Sequence, residues 1–152
     1  MQVNPNRGSP DLSEMSKLTA TSEQILRQHG GPILAIAFAG MYPPGSEGNE
    51  CAAEMVAYVR SALSTTNTAA MLFDLRNLDY TWGDAIGGLA VALMEKNASF
   101  RPLAIVAVGP TARALEPLLS RRFVFGFAGA KMFDNVPDAV SHLERVLKAR
   151  GE

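Results

Sequence analysis

The chain of 152 residues has little of the chemistry on which many active sites depend, with one cysteine and two histidines. A single cysteine excludes an internal disulfide bond and any metal site built from several cysteines. We interpret Cys51 as a small buried side chain, and His29 and His142 as surface residues without catalytic partners. These absences exclude most metalloenzymes and most hydrolases that use cysteine or histidine, and we predict no catalytic residue, no metal site and no cofactor.

A strong excess of one charge and a long hydrophobic run are also missing. Lys and Arg total 14 and Asp and Glu total 15, so the formal net charge is −1. Non-specific nucleic-acid binding usually needs a basic patch, which this balance does not favour. The apolar run 33–40 is far shorter than the ~20 residues of a membrane helix, and the N-terminus shows no signal-peptide pattern. We expect a cytoplasmic protein with neither nucleic-acid nor membrane partners.

The composition is that of one globular domain. Hydrophobic residues make up 47% and charged residues 19%, which is enough apolar material for a core. Residues 1–20 are polar and show no sustained period, so we predict a flexible N-terminal arm followed by a single domain over 21–150. Two apolar segments joined by the glycines at 30 and 31 predict a β-hairpin. The first of these segments could instead end a helix that starts at Thr21.

After residue 33, strand patterns alternate with helix patterns. The predicted strands are 33–40, 69–75, 103–108 and 131–133, and the predicted helices are 50–63, 84–97, 112–122 and one that opens near Asn135. This order predicts an α/β fold, with a mixed, partly parallel β-sheet packed with about four helices. Gly87 and Gly88 would each cost the second helix about 1 kcal/mol relative to alanine, which implies that its backbone packs closely on the sheet.

The loop after the 69–75 strand is the strongest candidate for function, because binding sites concentrate at the carboxyl ends of parallel strands. Its candidate residues are Asp79, Tyr80, Thr81, Trp82 and Gly83, followed by Asp84 at the start of the next helix. Exposed Tyr80 and Trp82 would be aromatic anchors of a protein interface. From residue 47 to residue 84 the chain holds six acids and two bases, a local net charge of −4. A structural interpretation, with Asp84 as helix cap and the aromatics as loop packing, carries equal weight.

Two further patterns favour structural roles. The carboxylates of Asp74, Asp79 and Asp84 follow no recognised metal-binding spacing, and no histidine accompanies them. The segment Gly-Pro-Thr at 109–111 follows a strand and could place an anion at a helix N-terminus. The same segment is typical of an ordinary turn and cap, which is the interpretation we favour.

The strand 71–75 and the segment 78–89 together resemble the core of a STAS domain, the family of the anti-sigma factor antagonists. That core is an apolar strand ending in Asp-Leu, a short loop, and Asp-Ser-Ser-Gly-Leu-Gly-Ala-Leu opening a helix. The segment 131–140 resembles the C-terminal motif of the family, a Phe-Asp junction between the last strand and the last helix. The resemblance covers about residues 23–148 and is carried by hydrophobic pattern and glycine placement.

The resemblance implies a STAS-like fold and a non-enzymatic regulatory domain of a bacterial cytoplasm. Its partner would be a protein, such as an anti-sigma-factor-like kinase or another regulator, docked through the loop 76–83 and the helix beginning near Asp84. The implied contact residues are Asp79, Tyr80, Thr81, Trp82, Gly83, Asp84 and Gly87. In antagonists a Ser or Thr at the start of this helix is phosphorylated, whereas Gly83 and Asp84 stand there in this chain. Asp84 is then either a fixed phosphate mimic or only a helix cap.

Two other functions stay open on the sequence. The strand and helix order also resembles the first half of a crotonase-type acyl-CoA fold, so an acyl-CoA or other small-ligand binding protein or enzyme is one alternative. The chain is too short for that complete fold, and its Ala-Gly-x-Asp segment is absent. An immunity-type inhibitor is the other alternative, supported only by the local negative charge. A homodimer is compatible with each function.

Overall fold

A computed structural model describes residues 18–89, 92, 101–119 and 130–152. These residues form one five-stranded sheet in which spatial order follows chain order. The strands are β1 (Leu18–Ile25), β2 (Ile33–Tyr42), β3 (Ala70–Tyr80), β4 (Leu103–Val106) and β5 (Lys131–Phe133). β1 runs antiparallel to β2, and the other neighbouring strands are parallel. The predicted mixed sheet and its initial hairpin are confirmed.

Three α-helices lie within the described residues, together with two short 3-10 turns. The helices are α1 (Asn49–Thr65), α2 (Gly109–Leu119) and α3 (Val136–Ala149), and the turns are Gly45–Gly48 and Asp84–Gly87. The helix predicted over 84–97 thus begins as a 3-10 turn. It is helical at residues 88, 89 and 92, and its other positions lie outside the described residues. None of the helices described is long and apolar enough to span a membrane.

The main core lies on one side of the sheet, called here the first face. Strands β2 to β5 are added in one direction, so right-handed crossovers place their connecting helices on the same face. α1, the turn Asp84–Gly87 and α2 all pack there. Its largest buried side chains are Tyr42 and Tyr80, and other buried members are Leu34, Ile36, Phe38, Met55, Val59, Met71, Phe73, Leu75, Ile86, Leu89, Leu103, Ile105 and Leu115.

The opposite side, the second face, is covered by α3. This helix buries Ala139, Leu143 and Leu147 against alternate residues of the central strands. Its start follows the sequence prediction, because the Asn135 side chain accepts a hydrogen bond of 2.8 Å from the backbone N–H of Asp138. An asparagine in this position satisfies one of the orphan N–H groups of the first turn.

Several element boundaries differ from the prediction. α2 begins at Gly109, so residues 109–111 form the first turn of a helix where a turn and cap are predicted, and β4 ends at Val106. Two further differences concern β1 and β3. β1 begins at Leu18, so residues 18–20 belong to the sheet rather than to the predicted arm, and the helix alternative for this segment is wrong. β3 continues to Tyr80, so residues 76–80 extend a strand where a loop was predicted. The pairing passes from Ala37 opposite Asp74 to Ala39 opposite Asn77, which leaves one extra residue in β3. Such a bulge interrupts the alternation by which a strand is recognised in sequence.

Candidate functional site

Exposed apolar side chains concentrate at the carboxyl edge of the parallel strands. Among the described residues four large hydrophobic side chains are exposed, and three of them, Met41, Trp82 and Val108, lie at or just after the ends of β2, β3 and β4. The fourth, Leu26, follows β1 at the opposite end of the sheet. Exposed apolar groups gathered at one edge are typical of an interaction site.

We call the exposed residues Met41, Asp79, Thr81 and Trp82 the Trp82 surface. Met41 of β2 lies directly opposite Asp79 of β3 in the parallel pairing. Thr81 and Trp82 follow β3 immediately, and the Trp82 side chain is 63% exposed. The surface therefore combines two large apolar groups with a carboxylate and a hydroxyl.

The turn Gly45–Gly48 holds Trp82 in position. The backbone N–H of Gly45 donates to the carbonyl of Trp82 over 3.2 Å. Gly45 has a φ of +64°, and a Cβ atom on it would lie 2.8 Å from Cη2 of the indole ring. The ring therefore rests on a residue that must be glycine. A side chain already held in place loses less conformational entropy on binding a partner.

Tyr80 does not belong to the exposed surface, contrary to its prediction as an anchor. Its side chain is 1% exposed and its ring packs edge-on against Tyr42, with 5.0 Å between centroids. The phenol hydroxyl donates to the carbonyl of Gly83 over 2.7 Å. The extra residue in β3 is the reason, because it turns Leu78 and Tyr80 toward the first-face core. Tyr80 supports the loop from beneath by fixing Gly83, whose φ of +136° favours glycine.

Thr111 supports the same loop and was missed as a functional residue in the sequence. Its hydroxyl donates to the carbonyl of Leu78 over 2.7 Å and accepts from the N–H of Tyr80 over 3.3 Å. β4 pairs with β3 only as far as Asp74, so among the described residues the later β3 backbone has no strand neighbour on that side. The buried threonine supplies part of that pairing. The available signal is the Gly-Pro-Thr segment that follows β4. Neither interpretation of that segment, an anion site or the favoured turn and cap, gives Thr111 this role, and the structure places the segment in the first turn of α2.

The remaining predicted contact residues lie at the 3-10 turn after the loop. The N-cap position of this turn is Gly83, without a side-chain cap, so Asp84 opens the turn rather than capping it. Gly87 is buried and is not available to a partner in this structure. A Cβ atom on Gly88 would lie 3.2 Å from Cγ2 of Val56, so the close packing expected of this helix is made against α1 rather than the sheet.

The acidic residues of β3 do not form a catalytic pair. Arg76 donates to both carboxylate oxygens of Asp74, over 2.9 and 2.8 Å. Burial alone would raise the pKa of Asp74, but the hydrogen bonds and charge of Arg76 outweigh it and hold the pKa below its ordinary value. Asp79 lies five positions further along the strand, roughly 16 Å away at the usual rise. Within the described residues, no group of three His, Cys, Asp or Glu side chains could hold a metal ion.

The cysteine and the histidines show no catalytic arrangement within the described residues. Cys51 is buried with its sulfur 3.8 Å from the carbonyl of Met41, as expected of a small buried side chain. Burial raises the pKa of its thiol, and Glu54 and Glu50 add to the effect. His29 is exposed. His142 is half-buried beside the ring of Phe133, and burial, with Lys131 and Arg145, lowers its pKa.

Two solved structures share this architecture. One is the anti-sigma factor antagonist SpoIIAA in its unphosphorylated form, with a TM-score of 0.52 and 16% sequence identity, covering 88% of this chain and 98% of that one. The other is an uncharacterised DUF3478-family protein with a SpoIIAA-like fold from Shewanella loihica PV-4, with a TM-score of 0.52 and 21% identity, covering 83% of this chain and 94% of that one. No protein-family model and no curated protein sequence matches the chain. The chain has the SpoIIAA-like, STAS-like α/β fold that the sequence resemblance implied.

Proposed function

We propose that this chain, on its SpoIIAA-like fold, is a non-enzymatic regulatory domain that docks a partner protein through the Trp82 surface. The observation that carries the proposal is a tryptophan that is 63% exposed yet held against Gly45. Tryptophan is among the residues that dominate binding energy at protein interfaces. The SpoIIAA structure adds support, since that protein is an anti-sigma factor antagonist.

The partner of this surface has an apolar pocket for the indole ring and basic residues around it. Asp79 lies on the surface, and Glu47 is exposed in the turn on which the ring rests. Arg76, one of two bases between residues 47 and 84, is engaged by Asp74. Opposite charges around an interface speed association and select the partner. An anti-sigma-factor-like kinase or another regulatory protein with such a pocket fits this description.

Docking at this site is not controlled by the phosphorylation of a serine or threonine at the start of the turn Asp84–Gly87. Gly83 and Asp84 occupy the positions where the antagonists carry the phosphorylated residue. A carboxylate at this point has a permanent charge near the amino end of the helical segment, where a phosphate's charge would otherwise lie. The domain is then either always competent to bind or permanently in the state of a phosphorylated antagonist. Replacing Asp84 by asparagine separates the two, because partner affinity rises only if the charge mimics a phosphate.

The test is affinity capture from lysate of the source cells, followed by a binding measurement with the protein captured. Trp82→Ala should lose a specific partner, with an affinity decrease of about 30-fold or more for a residue worth at least ~2 kcal/mol. Leu26→Ala is the matched control, because Leu26 is also exposed but lies at the opposite end of the sheet. Both variants must unfold at the wild-type temperature. Equal capture and equal affinity for both variants would refute the proposal that the partner binds the Trp82 surface.

A groove on the second face favours a small-molecule ligand as the second candidate function. It has a volume of about 460 Å³, with a floor of Ala35, Ala37 and Leu72 and with Asp74 and Arg76 at one end. Binding sites for small ligands commonly fall in the range of about 300–1,000 Å³. A compound library in a thermal-shift assay tests it, with Ala37→Leu as the variant that fills the groove. A stabilising compound whose effect survives Ala37→Leu would not be bound there.

A further inference from the structure

The sheet of the described residues ends in one long edge strand and one short one. β5, at one edge, has three residues and includes Lys131. β1, at the other edge, has eight residues and pairs with β2 without a break in register from Leu18 to Ile25. Natural proteins protect edge strands with lysine, proline, bulges or short length, because the outer backbone groups can pair with another strand. β1 is long and has no lysine, proline or bulge, and its only protection of this kind is one charged residue, Glu23.

We propose that β1 pairs antiparallel with β1 of a second copy of this chain, across a two-fold axis at Thr21. The two five-stranded sheets then become one continuous sheet. This inference goes beyond the proposed function, because it uses the outermost strand of the sheet, whereas the Trp82 surface lies at the carboxyl ends of the central strands. Pairing of exposed strand edges is a common route to protein association, and homodimers are the most common symmetric assemblies.

The faces of β1 restrict how two copies can align. Ala20 packs against the first-face core, and the hydroxyl of Ser22 lies 3.3 Å from that of Tyr58 on α1. Thr21 and Glu23 line the groove of the second face. A two-fold axis perpendicular to the sheet keeps each face on its own side, so residues that lie opposite one another must belong to the same face. The axis must therefore place one residue of β1 opposite the same residue of the second copy.

An axis at Thr21 gives a register without conflict. Thr21 then lies opposite its own copy, a β-branched pair of the kind favoured across strands. Glu23 lies opposite Thr19 of the second copy, so the two carboxylates do not meet. Ala20 lies opposite Ser22 of the second copy, which leaves room on the first face for both Tyr58 side chains. An axis at Ser22 would bring the two Ser22 hydroxyls together with the tyrosine attached to each.

The dimer is a weak one. The proposed register joins seven residues of each strand, from position 18 to position 24, which is a small contact beside the roughly 1,200–2,000 Å² of a stable interface. We expect dissociation in the micromolar range and therefore a concentration-dependent mass. Sedimentation of the full chain from about 1 to 500 μM measures it.

Cysteine cross-linking tests the register. In the full chain with Cys51→Ala, Thr21→Cys places two thiols opposite each other, within about 5 Å between Cβ atoms, and should give a disulfide-linked dimer under mild oxidation. Thr19→Cys is the matched control, because its two copies lie four residues apart along the strand, about 13 Å, and should not cross-link. Ser22→Cys reports the alternative axis. Cross-linking of the Thr19→Cys or Ser22→Cys variant in preference to Thr21→Cys overturns the proposed pairing.

Charge substitutions test the pairing without a covalent trap. Thr21→Glu puts two carboxylates opposite each other and should weaken the dimer at least 10-fold. Thr19→Arg places an arginine of each copy opposite Glu23 of the other copy and should tighten the dimer several-fold. Because both positions are exposed, the variants should keep the wild-type unfolding temperature. A wild-type chain that is monomeric at every concentration, or a dimer indifferent to Thr21→Glu, refutes the proposal. A dimer unchanged by Trp82→Ala shows that this interface is separate from the proposed docking site.

Discussion

The end of β3 should depend on a single hydroxyl group, that of Thr111. Thr111→Val keeps the shape of the side chain and removes the oxygen that bonds to the carbonyl of Leu78 and to the N–H of Tyr80. Thr111 is 7% exposed, so water cannot readily replace those bonds. A buried polar group left unsatisfied costs about 1–3 kcal/mol. Since one of the two bonds is long, at 3.3 Å, we expect a loss of about 2–3 kcal/mol in the free energy of unfolding.

Urea unfolding followed by tryptophan fluorescence measures this loss. Trp82 is the only tryptophan of the chain and lies two residues beyond Tyr80, so its emission also reports the loop that Thr111 supports. Thr111→Ser retains the hydroxyl and should recover more than half of the lost stability. Thr65→Val is the matched control, because its hydroxyl bonds at the exposed end of α1 and should contribute less than about 0.5 kcal/mol.

A result within about 0.5 kcal/mol of wild type for Thr111→Val would refute the reasoning. It would mean that the β3 backbone beyond Asp74 finds other partners, and that α2 does not hold the Trp82 surface through this residue. Equal losses for Thr111→Val and Thr111→Ser would assign the effect to packing of the methyl group rather than to the hydroxyl.

Three further perturbations follow from individual contacts. Gly45→Ala should lower the free energy of unfolding by about 1–2 kcal/mol, because an alanine is strained at a φ of +64°. It should also shift the tryptophan emission, because the new Cβ atom meets the indole ring. Gly109→Ala is the control: its φ is +60° but the space around it is open, so it should lose stability without a shift in emission. Arg76→Gln should cost less than about 1 kcal/mol in urea unfolding at pH 7, since the arginine is partly exposed. The pKa of Asp74 is lowered in the folded protein, so the stability that the Asp74–Arg76 pair contributes is present above the ordinary carboxyl pKa of about 4 and is lost as the pH falls through the folded value. A cost of Arg76→Gln that persists at pH 2 would show that it does not come from the charge on Asp74. Arg27→Gln removes a side chain that is 4% exposed and that binds the half-exposed Glu144 of α3 over 2.7 Å and the carbonyls of Gly31 and Glu152, so it should cost about 2 kcal/mol in the same urea assay. A loss below about 0.5 kcal/mol would show that these bonds do not hold α3 in place.

The parts of the fold that are predictable from sequence are those in which the local residue pattern fits only one type of secondary structure. The run 33–40 lacks polar side chains because β2 is an inner strand: its first face is buried in the main core, and its second face carries Ile33 under α3 and then small alanines beside the groove. Asn135 likewise lies where a helix cap is needed. The start of β1 at Leu18 is not predictable from local pattern, because β1 is an edge strand. Most of its residues are exposed and polar, so they lack the alternation that marks a half-buried strand.

The two aromatic residues of the candidate site show what the sequence could and could not predict. Trp82 was expected near a strand end and is exposed there, whereas Tyr80, two residues earlier, is buried. Local pattern could not separate them, because one extra residue in β3 decides which side chains turn inward. The supports of the site are also non-local. Gly45 contacts it from a 3-10 turn and Thr111 from the first turn of α2, both distant in sequence, and such contacts leave no periodic signal.

The one-sided arrangement of the crossovers has a consequence for synthesis on the ribosome. Every strand of the described sheet, and both helices of the first face, precede α3 in the chain. A nascent chain can therefore complete its first-face core while the apolar residues of the second face, such as Leu72 and Val106, still lack their cover. Until residues 136–149 emerge, the growing protein presents a sheet face that a chaperone can bind. Translation that stops before α3 leaves that face open, and such a fragment is a substrate for quality control even though most of its core residues are present.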